Sequence, residues 1–493
     1  MGIIKQQTIK GSIYSYLGVL IGFLTVSVLQ PYALRDTAQI GLITLLASLS
    51  ALFAQFAILG FNGTARYFPY FRSEEKQHHG YLFLACMVAL LGTVLLLLFM
   101  YVFKDVIVGK NAKTVLFKQY YWYLLPLTFF TLFFNVFDLY ARMLYNITTG
   151  LILREFTKRI FILVPILLAY FKLINFDLFM ILWLVANVIG TFQIMARLIK
   201  DKQFSLKPNF EFLDKDMINK LVGICFFTIL TGSSPLIIQN IDTLLISKKL
   251  DLAHTGVYAL AFSFGTIISL PSRSLYSISY TIVSESWKTN DLKNISTVYK
   301  KSCVNQIISA LFLFVLIWAS IDNVFAFLPP DFKAGKYAVF FVGLGYFIDS
   351  ATGINLVILA TSKYFRYEAL FNLLLVPVIV ILNLVLIPIY GITGSAIASA
   401  VTYFIFNLFR FIFIWIKFKM QPFDLKCLLA LVTGVLVYYL SLWILPHIGN
   451  YYVDTIVRTA FITALYLPAV YFLKLSEDIN SIIDGVIVKL KGK

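Results

Sequence analysis

Apolar runs long enough to cross a lipid bilayer recur fourteen times in this 493-residue chain, and little is left between them. They fall near 10–32, 39–61, 80–103, 119–141, 151–172, 176–197, 221–247, 255–282, 303–321, 336–360, 368–388, 392–416, 427–446 and 455–473. A membrane-spanning helix takes about 20 residues, so fourteen would fill roughly three fifths of the chain. That is the share of hydrophobic residues, 60%, while charged residues make up only 13%. An ordinary soluble domain carries about 25% charged residues. A soluble multidomain enzyme and a soluble receptor with one anchor are therefore excluded. The expected fold is an all-α polytopic membrane protein with about 14 transmembrane helices.

Charge orients these spans. With the N-terminus inside, the inner segments hold 29 Lys/Arg and the outer ones 11, leaving Arg273 alone within a span. This asymmetry satisfies the positive-inside rule and places both termini in the cytoplasm. The net charge of +17 then marks a membrane face against anionic lipid rather than a nucleic-acid partner. The fifth run is the least apolar, because Arg154, Glu155, Lys158 and Arg159 crowd its start. Lys104, Lys110, Lys113 and Lys118 gather on an outer loop, where the rule does not expect them.

The chain also repeats itself. A shift of 215 residues pairs Asp36 with Asp251, Ala38 with Ala253, Gly41 with Gly256, Leu45 with Leu260 and Ser48 with Ser263. Both copies run the same way through the membrane, which predicts two parallel six-helix lobes enclosing a cleft. The expected layout is an N-lobe over 1–199, a cytoplasmic connector over 200–220 and a C-lobe over 221–420. Two further helices follow over 426–474, then an amphipathic tail helix over 475–493. In the connector, Phe204, Phe210, Phe212 and Leu213 are expected to dip into the membrane surface.

Three stretches carry a family resemblance: Ala65 to Glu75 (ARYFPYFRSEE), Asn240 to Ile246 (NIDTLLI) and Thr255 to Ala261 (TGVYALA). They resemble the multidrug/oligosaccharidyl-lipid/polysaccharide exporter superfamily, and within it the Wzx-type polysaccharide flippases, over roughly residues 1–475. The resemblance implies a twelve-helix core of two lobes plus two extra helices. It also implies translocation of undecaprenyl-pyrophosphate-linked sugar repeat units across the bacterial inner membrane, for O-antigen, capsule or exopolysaccharide synthesis. The expected partners are that lipid-linked oligosaccharide, the bilayer, and other polysaccharide-assembly proteins.

Charges inside hydrocarbon are costly and face a cavity or one another. Arg273 follows Pro271 in what reads as the middle of the eighth span, so it is either a phosphate or glycan contact or an ion-pair partner. Arg66, Arg142, Arg154, Lys158 and Arg159 cluster at inner helix ends. They either line a mouth that attracts an anionic headgroup or simply obey topology. The embedded acids Asp242, Asp349, Asp138 and Glu368 are candidates for ion coupling or internal pairing, and Asp138 to Arg142 has the spacing of an intrahelical pair. No catalytic residue, metal or organic cofactor is expected; Na+ or H+ is the candidate coupling ion.

The remaining features read as structural. Cys86, Cys225, Cys303 and Cys427 have no close spacing, which argues for core packing rather than disulfides or metal binding. Tyr120 to Tyr123 (YYWY) reads as an interfacial aromatic belt, and His78 and His79 read as a solvated loop pair. No phosphate-binding loop signature occurs. The alternatives to a polysaccharide flippase are a cation-coupled multidrug exporter, a lipid II flippase and, more distantly, a membrane polysaccharide polymerase or ligase. The short outer loops disfavour the last.

Overall fold

Short polar residues start the helices. Asp36, Asn146, Asn175, Asp214, Asp291 and Asp424 each accept a hydrogen bond from a first-turn amide, satisfying donors that a helix start leaves open. The resulting structure, a computed structural model, describes residues 14–34, 36–109, 115–209, 212–446 and 448–491. It is helical throughout, and the chain divides into two compact units, 1–259 and 260–493.

The first unit contains α1 (Tyr14–Leu34), α2 (Thr37–Ala57), α3 (Tyr81–Val102), α4 (Leu124–Met143), α5 (147–170), α6 (Phe176–Lys200), α7 (Lys215–Gly232) and α8 (Ser234–Lys249). It closes with the first turns of α9 (Leu252–Ile268). Helix α2 is central and packs on both α4 and α8. At its start it crosses the start of α9, where Gly41 and Gly256 meet.

The second unit holds the rest of α9, then α10 (Leu270–Lys288), α11 (Leu292–Ala319), α12 (Lys336–Ala351), α13 (Asn355–Thr361) and α14 (Phe365–Phe418). It ends with α15 (Leu425–Ile444), α16 (Tyr451–Phe472) and the tail helix α17 (Glu477–Lys491). The 54 residues of α14 would reach about 80 Å if straight, far beyond a bilayer core of about 30 Å. They do not run straight. Gly391 takes φ 60° and ψ −138°, a backbone open to glycine alone, and the chain doubles back so that Asn383 accepts from the Ser395 hydroxyl at 2.6 Å.

Lipid-facing surface identifies a multi-pass membrane protein. On α3 alone Leu90, Leu91, Val94, Leu95, Leu98 and Phe99 are exposed together, a patch that water would not tolerate. Among the described residues ten helices are long and apolar enough to span a membrane, or up to twelve if each bent helix pair is one span. Helix α5 is not among them, owing to its charges, and α14 is counted once.

Several expectations change here. The eighth run is not one helix: α9 and α10 meet at a 55° bend, and Pro271 lies in the first turn of α10, where its missing amide costs nothing. Tyr120 and Tyr121 are buried rather than belted at an interface; the Tyr121 hydroxyl donates to the Met100 carbonyl at 2.8 Å. Phe212 stacks on His79 at 4.0 Å and Phe204 meets Phe137 at 5.8 Å, so both turn onto protein rather than lipid. Phe210 lies outside the described residues. His78 is not solvated: it is 2% exposed, its Nδ1 accepts from the Ser73 amide, and its Nε2 bonds Gln203 at 2.9 Å.

Candidate functional site

The basic residues proposed at inner helix ends separate into three kinds of position. Arg142 lies one turn beyond Asp138 on α4, as its spacing requires. The Asp138 Oδ2 accepts from Arg142 at 2.9 Å and from Arg154 of α5 at 2.7 Å. The carboxylate side chain is 5% exposed, while the two arginines are 46% and 45% exposed. One buried anion thus holds two half-exposed guanidiniums. Arg154 also lies over the Phe134 ring at 5.3 Å.

The arrangement depends on how α5 is wound. Its residues Leu153–Thr157 form a π turn, a local widening common at functional sites. Glu155 and Arg159 pair across that turn at 3.0 Å, and Arg159 reaches out to the Gly18 carbonyl at 2.7 Å. Arg159 therefore ties α5 to α1. A Cβ at Gly18 would stand 1.9 Å from the Glu155 carbonyl oxygen, so that seam needs glycine there.

Lys158 lies half buried between these pairs, in electrostatic range of Arg154, Arg159 and Glu155, and among the described residues it makes no hydrogen bond or ion pair. Arg66 stands apart, exposed on the 3-10 turn Phe61–Tyr67 with its guanidinium over Tyr67 at 5.5 Å. The first unit thus brings four of the proposed cations and two acids, Asp138 and Glu155, to one place on α4 and α5.

Asp242 on α8 is buried and accepts from the Tyr258 hydroxyl at 2.6 Å. In the second unit, Asp349 on α12 accepts from the Asn407 amide at 3.0 Å. Nearby, Glu368 takes a two-pronged contact from Arg410, with Nε to Oε2 at 3.0 Å and a second, shorter bond from Nη2 to Oε1. Both partners are buried, and the guanidinium lies 3.5 Å from the Phe406 ring centre. Asp349 lies within electrostatic range of this pair.

Two buried arginines correct the charge ledger. Arg410, which topology assigned to a cytoplasmic flank, is 4% exposed inside the α14 hairpin. Arg458, assigned to an outer segment, is buried against Asp454 at 2.6 Å, with Asn323 donating to the same carboxylate. Arg273, the cation placed within a span, is exposed on α10 and carries no ion pair among the described residues. Its neighbour Ser272 is the buried one, donating to the Gln306 side-chain oxygen and sharing a hydrogen bond with the Ser350 hydroxyl. The signal that would have found Arg410 is Glu368 itself: an acid in a span calls for a base, and Arg410 is the cation in the run that folds back on it.

No protein-family model and no curated protein sequence matches this chain. Solved structures do. It is similar to lipid II flippase MurJ in an inward closed conformation, with a TM-score of 0.73 at 16% identity, covering 94% of this chain and 98% of that one. It is also similar to an inward-facing multidrug resistance MATE family transporter of the MOP superfamily, with a TM-score of 0.62 at 13% identity over 83% and 94% of the two chains. A variant of the Vibrio cholerae MATE transporter VcmN aligns with a TM-score of 0.54 at 14% identity over 84% and 96%. The fold is the one these transporters share.

Proposed function

We infer that this chain is a flippase that carries undecaprenyl-pyrophosphate-linked oligosaccharide repeat units across the bacterial inner membrane by alternating access, for surface polysaccharide synthesis. The observation that carries this reading is the cluster of Arg142, Arg154, Lys158 and Arg159 around only two acids on membrane helices. Excess positive charge in an apolar setting calls for an anion, and guanidiniums suit the oxygens of a pyrophosphate. The likeness to a lipid II flippase supports a lipid-linked cargo, and moving lipid II itself is the second reading. A cation-exporting role is disfavoured by the sign of the cluster.

In this reading α5 and both arms of α14 are spans, which brings the number to fourteen: a lobe over 1–199, a connector over 200–220, a lobe over 221–420, a pair over 426–474 and the tail. Both termini are cytoplasmic. Glu368 is an internal partner of Arg410, which leaves Asp242 and Asp349 as the coupling candidates for Na+ or H+. Arg66 and Arg273 are exposed contacts for phosphate or glycan along the path.

Reconstitution with a labelled lipid-linked oligosaccharide, with and without ion gradients, tests this directly. Translocation that depends on Arg142 and Arg154 is the expected result. Normal surface polysaccharide in a deletion strain complemented by a well-expressed Arg142→Ala/Arg154→Ala variant would sink it, and loss of drug resistance instead would favour an exporter.

A further inference from the structure

The geometry points to Asp138 as a positioning residue that sets Arg142 and Arg154 side by side as a clamp for a diphosphate in preference to a monophosphate. This rests on the reading above and deepens it. Both arginines donate an Nη2 to the same oxygen of Asp138, at 2.9 and 2.7 Å, so the two guanidiniums stand next to each other. Like charges would otherwise push them apart; the shared carboxylate, buried beneath them, holds them together.

Each guanidinium has five N–H donors in a rigid fork. Arg142 spends Nη2 on the Asp138 carboxylate and Nε on its backbone carbonyl at 3.4 Å. Arg154 spends Nη2 on Asp138 and Asn135. Among the described residues the Nη1 group of neither arginine has a partner, and both side chains are half exposed. Two unspent donor edges, neighbours in space, match two adjacent phosphoryl groups better than one. Lys158 lies within electrostatic range of Arg154 and makes no ion pair among the described residues.

Gly150 makes the clamp possible. A Cβ there would stand 1.7 Å from Asp138 Oδ1 and 2.5 Å from its Cγ, so any larger residue displaces the carboxylate that anchors both arginines. Arg159 is not part of the clamp, because Gly18 and Glu155 occupy it.

The test uses full-length protein in nanodiscs with a short-chain polyprenyl diphosphate and the matching monophosphate as probes. Wild type should bind the diphosphate about tenfold more tightly, the scale of one added charge-assisted hydrogen bond. Asp138→Asn and Gly150→Ala should each remove most of that preference while leaving monophosphate binding within about twofold. Asp138→Glu should recover part of it. Arg154→Lys, which keeps the charge but loses the fork, should lose the preference even if Asp138→Asn fails to fold. An undiminished preference in Asp138→Asn and Gly150→Ala, or in Arg154→Lys, overturns the clamp. If Arg142→Ala/Arg154→Ala also binds both probes like wild type, the failure lies with the anion site itself.

Discussion

Gly41 and Gly256 lie backbone against backbone: a Cβ built on either would stand 3.0 Å from the amide nitrogen of the other. The contact is two-fold. The Gly41 Cβ would strike the Leu252 carbonyl at 1.8 Å, and the Gly256 Cβ would strike that of Thr37 at 2.0 Å. Thr37 and Leu252 are themselves 215 residues apart, so the sequence repeat is a local symmetry in space. Asp36 and Asp251, also paired by the repeat, each accept a first-turn amide at 2.8 Å beside this crossing. Small residues let membrane helices approach this closely. Gly41→Ala and Gly256→Ala should therefore destabilise the protein to a similar degree, about 1–3 kcal/mol each. Thermal unfolding in detergent reads this. A large effect from one and none from the other would refute the symmetry.

Glu368 and Arg410 should behave as a unit. Removing either alone leaves a buried charge unpaired, at about 3–5 kcal/mol. Glu368→Gln and Arg410→Met should each lower the melting temperature, and the double substitution should recover much of the loss. Additive losses in this cycle would mean that the pair is not coupled.

Arg159 and Arg154 should part company in assays. Arg159→Ala breaks the bond from α5 to Gly18 and should reduce thermal stability by about 1–3 kcal/mol. Arg154→Ala should leave the melting temperature nearly unchanged, since a half-exposed pair contributes about 1 kcal/mol or less. Translocation should nevertheless be lost in Arg154→Ala. Equal melting temperatures and equal transport in the two variants would contradict this division.

Arg273 is exposed on α10, so Arg273→Ala should fold and express normally. Surface polysaccharide should be lost in Arg273→Ala and partly kept in Arg273→Lys. Wild-type polysaccharide in the alanine strain would remove Arg273 from the substrate path.

Helical class and most spans were legible because a bilayer demands long apolar runs and leaves no other pattern. The repeat was legible at Asp36/Asp251 and Gly41/Gly256, where capping and close approach restrict residue choice. Asp138 and Arg142 were legible as neighbours because four residues is one helical turn. What stayed hidden depends on the chain meeting itself at long range. Arg410 finds Glu368 only because Gly391 reverses the chain between them, and a charge count by segment cannot register that. Arg154 reaches Asp138 through a π turn that shifts helix facing and leaves no periodicity to read. His78 reads as polar loop until Gln203, 125 residues later, satisfies its ring.

The hairpin closed by Glu368 and Arg410 also bears on how the protein is made. Glu368 lies in the first turn of α14 and Arg410 about two turns before its end, so the two charges sit at the same end of the two arms, and either one left unpaired in an apolar setting is costly. Neither arm of α14 escapes that charge alone, yet the two arms neutralise and hide each other once Gly391 has turned the chain. The pair can form only after both arms have been made, so Glu368 stays without its buried partner until the chain has grown past Arg410.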